Sequence, residues 1–388
     1  MGTGSRSESP SLGGCAHFIE HLLFKGTPTR SASVLAREID SIGGHLDAFT
    51  GREYTCFYLN VLVEHVERGM DILSDILINS TFPAHEIERE RKVILEEIKM
   101  SEDNPEDCVY ELLVRNIWPK SPLGRPILGE NTSIGAMKRA ELVAFFRRHY
   151  RASNLIFASA GGIEHARIES LWKTHFPLPR SRTISPSGVT TGFRKGVFRK
   201  ARDLEQTHLC LGTRGLKQVH RDRYALHVFN SIFGGSMSSR LFQEIREKRG
   251  LAYSVFSSHS SYGDTGLFTV SVGTSPDMAK RVVRLVEGQI GKICSRPPSA
   301  REVTRAKDHI KGNVILGLES NGNRMMSIAR QELFFNRLHG IDETIEAVGA
   351  VTPRGVQKVA GRIFGNGRAA WSAVGPEKSL EKLAPGKV

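Results

Sequence analysis

The residues best placed for chemistry are His17-Phe18-Ile19-Glu20-His21. Their surroundings predict a helix over 13–24. Histidines four residues apart on a helix share one face, one turn apart, so both imidazoles can hold a single zinc ion. Glu20 sits one residue before His21 and is angled close to the same face. It can take a proton from a metal-polarised water without being a ligand itself. The order of residues is the reverse of the commoner His-Glu-x-x-His helix. Phe18, Leu22 and Leu23 make the helix amphipathic and half buried, which argues against a merely solvated face.

A catalytic zinc takes three protein ligands and keeps one position open. The third candidate is Glu97, in a predicted helix over about 84–102. That helix is rich in glutamate (Glu86, Glu88, Glu90, Glu96, Glu97), a pattern that by itself reads as a charged, solvated face. Val93, Ile94 and Ile98 give it a buried side. Glu90, Ile94 and Glu97 recur at steps of three and four, which favours Glu97 over its competitor Glu96 as the inward residue. Glu90 lies two turns before Glu97 and could orient a ligand histidine from behind.

These helices need a frame. Ser31 can cap a helix over Ala32–Ile42 that Gly43-Gly44 closes. His45–Thr50 and Glu53–Leu62 read as strands, followed by helices at about 63–78, 105–116 and 138–149. A further strand is expected at Asn154–Ser159. Pro177–Ser187, rich in Pro, Ser and Arg, reads as a linker. The order then repeats. Glu86 and Glu302 are 216 positions apart; Tyr150 and Phe364, and Gly161 and Gly375, are 214 apart. A near-constant offset with the same element order points to a duplicated domain. The expected division is 1–180 for a metal-binding domain, 181–194 for a linker and 195–388 for a second domain without the metal motif. The expected fold class is α+β, each domain laying helices over one face of a mainly antiparallel sheet.

With 388 residues, 39% hydrophobic and 24% charged, the chain can bury two ordinary cores. No apolar run is long enough to cross a membrane, and the N-terminus has no apolar stretch of the signal-peptide kind, so a cytoplasmic location is expected. Cys15, Cys56, Cys108, Cys210 and Cys294 are scattered, with no CxxC pair, and suggest neither disulfides nor a cysteine metal site. The net charge of +13 admits an anionic partner. No helix-turn-helix, zinc-finger or RNP-like pattern accompanies it, so no nucleic-acid role is expected.

His17 to Thr27, followed by Glu97 in Val-Ile-Leu-Glu-Glu-Ile, resembles the pitrilysin/insulinase family of metallopeptidases. The short bacterial members similar to the β subunit of mitochondrial processing peptidase are the nearest group. The resemblance runs along nearly the whole chain and includes Gly43–Thr50, Glu53-Tyr54-Thr55 and Phe233–Leu241. It implies that His17, His21 and Glu97 bind Zn2+, that Glu20 is the general base, and that Glu90 supports the ligands. It also implies that Arg246 and Tyr253, in Arg-Glu-Lys-Arg-Gly-Leu-Ala-Tyr, hold substrate and the developing oxyanion. Ala48, Phe49 and Thr50 would lie on an edge strand that pairs with an extended peptide. Short members of the family pair to close a peptide chamber. A homodimer is therefore expected, with Arg246 and Tyr253 serving the partner's zinc; a heterodimer with a silent paralogue is the other assembly.

Relatives usually begin earlier, with strands of the first sheet. Met1 stands where they carry the valine of a Val-Gly-x-Gly-Ser-Arg-like strand end, so Met1 is expected to be a misassigned start. The function expected from the residues and the resemblance is a zinc-dependent endopeptidase acting on unstructured peptides. The rival is a catalytically silent subunit with an assembly role, which typically lacks the metal motif that is intact here.

Overall fold

A computed structural model describes residues 1–177, 192–365, 369–381 and 383. In the first half, helices α1 (Cys15–Leu23) and α2 (Ala32–Ser41) precede strands β1 (His45–Thr50) and β2 (Thr55–Asn60). Helices α3 (Val66–Asn79), α4 (Ala84–Asp103), α5 (Pro105–Ile117), α6 (Asn131–Ala136), α7 (Arg139–His149) and α8 (His165–His175) follow. The second half contains β3 (Gly196–Ala201), β4 (Thr207–Arg214), α9 (Arg223–Phe233), β5 (Ala252–Ser261) and β6 (Gly266–Thr274). It continues with α10 (Ala279–Ser295), α11 (Ala300–Gly317), α12 (Asn321–Phe335), α13 (Ile341–Gly349), α14 (Pro353–Phe364), β7 (Ala369–Gly375) and α15 (Glu377–Glu381).

The elements form two compact units that are not consecutive blocks of sequence. The first comprises 1–101, 125–188 and 320–333; the second comprises 102–124, 189–319 and 334–388. Each half thus gives one segment to the unit built mainly from the other. The exchanged helices α5 and α12 begin at Pro105 and Asn321, 216 positions apart, the same offset as α4 and α11. The division at residues 180 and 195 takes no account of this exchange, and most of the expected linker lies outside the described residues.

In the first unit, α1 is buried against Ile87, Ile94 and Ile98 of α4 and Leu142 and Phe145 of α7. Phe18, Ile19, Leu22 and Leu23 are fully buried, as amphipathicity requires. Ser31 accepts a hydrogen bond from the Val34 amide and caps α2, as expected. Gly43 closes that helix at φ 58°, a left-handed value that glycine adopts without strain. β1 and β2 pair antiparallel from His45↔Asn60 to Thr50↔Thr55.

The strand expected at Asn154–Ser159 does not form. Asn154 ends a short 3₁₀ turn, and the residues after it pair with no strand among those described. A cavity of about 330 Å³ lined by Phe57, Leu59, Ile156, Phe157, Met325 and Met326 lies between this segment and β2.

The second unit is built on a five-stranded sheet in the order β3-β7-β4-β6-β5, antiparallel except for β3 with β7. Leu209 and Leu211 join the main core with α9, α10 and α14. Cys210, between them, faces the other way into a cluster with Val109, Leu113 and Ile117 of α5. Period-two alternation on β4 therefore feeds two cores, one on each face of the sheet.

Candidate metal centre

The site is assembled in the first unit from α1, α4 and β1. His17 and His21 stand one turn apart, ring centroids 4.6 Å apart and inclined by 70°. Their Nε2 atoms are 3.3 Å apart. Glu97 Oε2 of α4 lies 3.7 Å from His17 Nε2 and 3.6 Å from His21 Nε2. Three ligands at zinc distances of about 2.0–2.1 Å in a tetrahedron are separated by roughly 3.4 Å along each edge. The observed triangle has that size, and two nitrogens with one carboxylate form a donor set suited to zinc. Among the described residues, this is the one group of three or more such side chains with ligand atoms close enough to hold an ion. Glu96, the competitor, faces outward and pairs with Lys99 at 2.6 Å.

Burial, with a smaller effect of neighbouring His21, lowers the His17 imidazole to about 3. His17 is thus neutral near pH 7, the form in which it can donate a lone pair. Glu90 is buried in α4, and its Oε2 lies 3.1 Å from His21 Nδ1. Its Oε1 pairs with Lys25 Nζ at 2.8 Å, just beyond the end of α1. The lysine orients Glu90, and Glu90, through His21 Nδ1, turns His21 Nε2 toward the shared centre.

Glu20 accepts a short hydrogen bond from the Thr50 hydroxyl on β1. Burial raises its carboxyl above the ordinary value, opposed by the Thr50 hydrogen bond and by His21. A carboxylate lifted in this way is a stronger base near neutral pH. Thr50 also lies 3.4 Å from Thr55 across the strand pair. Ala48 faces Phe57 in the register, and the Phe49 ring meets Tyr54 edge-on at 5.8 Å. Strand β1 pairs only with β2 among the described residues, which leaves its other edge without a strand.

Glu8 is a residue the spacing arguments overlooked. Its buried carboxyl group accepts hydrogen bonds from the Gly14 amide at 2.9 Å and the Ala16 amide at 2.8 Å. It caps the N-terminus of the helix carrying both histidines, where backbone amides otherwise lack partners. An acidic residue shortly before a helix was the available signal, but an expected start at 13 left Glu8 outside the capping window.

Arg246 and Tyr253 belong to the second unit. Arg246 sits on a π-helical turn, Phe242–Glu247, and its Nη1 donates to the Tyr253 carbonyl at 2.8 Å. The guanidinium carbon lies 4.9 Å from the Tyr253 ring centroid. Strand pairing skips Tyr253, between Ala252↔Thr274 and Ser254↔Gly273, so it is bulged outward and is 79% exposed. The structure thus brings these two residues to each other. It brings His17, Glu20, His21, Glu90, Glu97 and Thr50 together separately.

Comparison with known proteins bears on this arrangement. Residues 1–131 match the family profile described as insulinase (peptidase family M16), and residues 136–310 match that of the peptidase M16 inactive domain. An uncharacterized zinc protease of Streptomyces coelicolor is 37% identical over 386 residues, covering 97% of this chain and 84% of the relative. The uncharacterized zinc protease YmxG of Bacillus subtilis is 37% identical over 369 residues, covering 94% and 89%. In fold, the chain is similar to a protease from Helicobacter pylori, with a TM-score of 0.91 at 21% identity over 97% of this chain and 92% of the other. A peptidase M16 inactive domain structure from Pseudomonas fluorescens gives a TM-score of 0.87 at 20% identity, covering 97% and 91%.

Proposed function

Because this chain belongs to the insulinase peptidase family (M16), we propose that it is a zinc-dependent endopeptidase for unstructured peptides or small proteins. The observation that carries this reading is the triangle of His17, His21 and Glu97 ligand atoms with Glu20 beside it. Zinc held there supplies a Lewis acid that polarises the scissile carbonyl and acidifies water. Glu20 takes the proton of the attacking water and later delivers it to the leaving amine, and Thr50 fixes which oxygen faces the reaction. The free edge of β1, at Ala48–Thr50, aligns an extended substrate by backbone pairing, which suits varied sequences.

Zinc content and peptide cleavage, measured together for the wild type and Glu20→Gln, test the assignment. The variant is expected to retain one zinc and lose about 10²–10⁴-fold in turnover. Unchanged turnover would remove Glu20 from the mechanism. We further propose a homodimer in which Arg246 and Tyr253 stabilise the oxyanion at the partner's zinc. Mixing Glu20→Gln with Arg246→Ala chains should restore part of the activity each lacks. No restoration would count against sharing between copies.

A further inference from the structure

Helix α9 and strand β5 hold the places in the second half that α1 and β1 hold in the first. In both, the strand is an edge of its sheet among the described residues. In both, a strand hydroxyl bonds to a helix side chain: Thr50 to Glu20, and Ser257 to Asn230 Oδ1 at 2.8 Å. Beside the Ser257 link stand two histidines, His227 on α9 and His259 on β5. We propose that His227 and His259 form a second metal site, one for a divalent ion of the zinc, nickel and copper class.

The geometry comes first. A spacing of three on a helix puts His227 on the same face as Asn230, and a spacing of two on a strand puts His259 on the same face as Ser257. The Ser257–Asn230 hydrogen bond therefore brings the two imidazoles together. Their ring centroids are 4.6 Å apart and inclined by 76°, against 4.6 Å and 70° for His17 and His21. Rings at this separation can each turn one nitrogen to a common ion. His227 is exposed, so an ion can enter from solvent.

The likeness to the first pair extends to the inner nitrogen. Nδ1 of His259 is buried with no hydrogen-bond partner among the described residues, as is Nδ1 of His17. Nε2 is then the His259 nitrogen able to reach an ion. Burial, with a smaller effect of His227, lowers the His259 imidazole to about 3. The ring is neutral near pH 7 and keeps a lone pair for a metal. Arg223, one turn before His227, lies over the rings of Tyr224 and Phe335 at 4.4 and 5.0 Å, which occupy its charge.

The donor set selects the ion. Among the described residues no carboxylate or thiol joins these histidines to make a group of three. Two imidazoles suit zinc, nickel and copper(II), with water in the remaining positions. Calcium and magnesium, which take oxygen ligands, find none suited to them here. With two protein ligands in place of three, the site should bind zinc more weakly than the centre at His17, His21 and Glu97.

Calorimetric titration of the untagged, metal-free chain with Zn2+ tests this. One tight and one weaker site per chain are expected. The double variant His17→Ala with His21→Ala should keep only the weaker one. Adding His227→Ala to it should weaken the remaining binding by roughly tenfold or more, as should adding His259→Ala. Adding His165→Ala, an exposed histidine on α8 of the first unit, should leave it unchanged. Zinc should also raise the melting temperature of the double variant and cease to do so once His227 is replaced. Melts without metal confirm that each variant is folded. Absence of the weaker site would overturn the proposal, as would its survival in both the His227 and His259 variants, or its equal loss with His165→Ala. The second site is read with the first removed, so a failure of the peptidase reading would not alter the result.

Discussion

The hydroxyl of Thr50, on strand β1, donates a hydrogen bond to Oε2 of Glu20 on helix α1. The edge strand that would receive a peptide and the carboxylate that would activate water are therefore fixed to each other by one side chain. Thr50→Val keeps the volume and β-branching of the residue and removes only the hydroxyl. Turnover is expected to fall about tenfold, equivalent to one hydrogen bond of about 1.4 kcal/mol. Because the Thr50 bond lowers the Glu20 pKa, its loss should move the acidic limb of the kcat/KM profile to higher pH. A variant profile that superimposes on the wild type would separate Thr50 from the base.

Glu90 joins His21 to Lys25 at 3.1 and 2.8 Å. Glu90→Gln replaces one of these oxygens with an amide and removes the charge that both partners face. Zinc affinity, measured by chelator competition, is expected to fall about 10–100-fold. Equal affinities in the two proteins would show that His21 needs no such support.

Burial, outweighing the amides of Ala16 and Gly14 and the nearby Arg125, lifts the Glu8 carboxyl from 4.5 to about 8. The folded protein then retains a proton that the unfolded chain releases above pH 4.5. The sign follows: this contribution to stability is complete below pH 4.5 and is lost as the pH rises to about 8. Glu8→Gln, neutral throughout, should flatten the decline of Tm across that window. Parallel Tm profiles for the two proteins would contradict the assignment.

Leu22 is fully buried in the core beneath the histidine helix. Leu22→Ala should cost about 3 kcal/mol of stability through lost burial and the cavity left behind. Chemical denaturation of the metal-free protein reads this directly, apart from any change in zinc binding. A loss under about 1 kcal/mol would mean that the site collapses onto the gap.

Much of the first unit was legible in local sequence. Helix α1, the Ser31 cap, strand β1 and the facing of Glu97 over Glu96 all follow from periodicity and turn chemistry. Such signals are short in range, and the structure agrees with them to within a residue or two. The strand expected at Asn154–Ser159 did not form because pairing depends on a neighbour's backbone, and a cavity rather than a strand lies between this segment and β2. Glu8 was missed because it reaches the helix start from six residues before Gly14, outside the window in which a capping side chain is sought.

The chain by itself determined that two imidazoles would share one helical face with a carboxylate beside them, since helix geometry fixes residues four apart. The repeat offset likewise indicated two related halves. Only the tertiary structure decided that Glu97 lies within 3.7 Å of both imidazoles, that Thr50 holds Glu20, and that α5 and α12 are exchanged between the units. Those relationships join residues 30 to 80 positions apart, or assign a helix to a core that its sequence neighbours do not share. They are set by which apolar faces find each other in the folded chain, and local sequence carries no record of that choice.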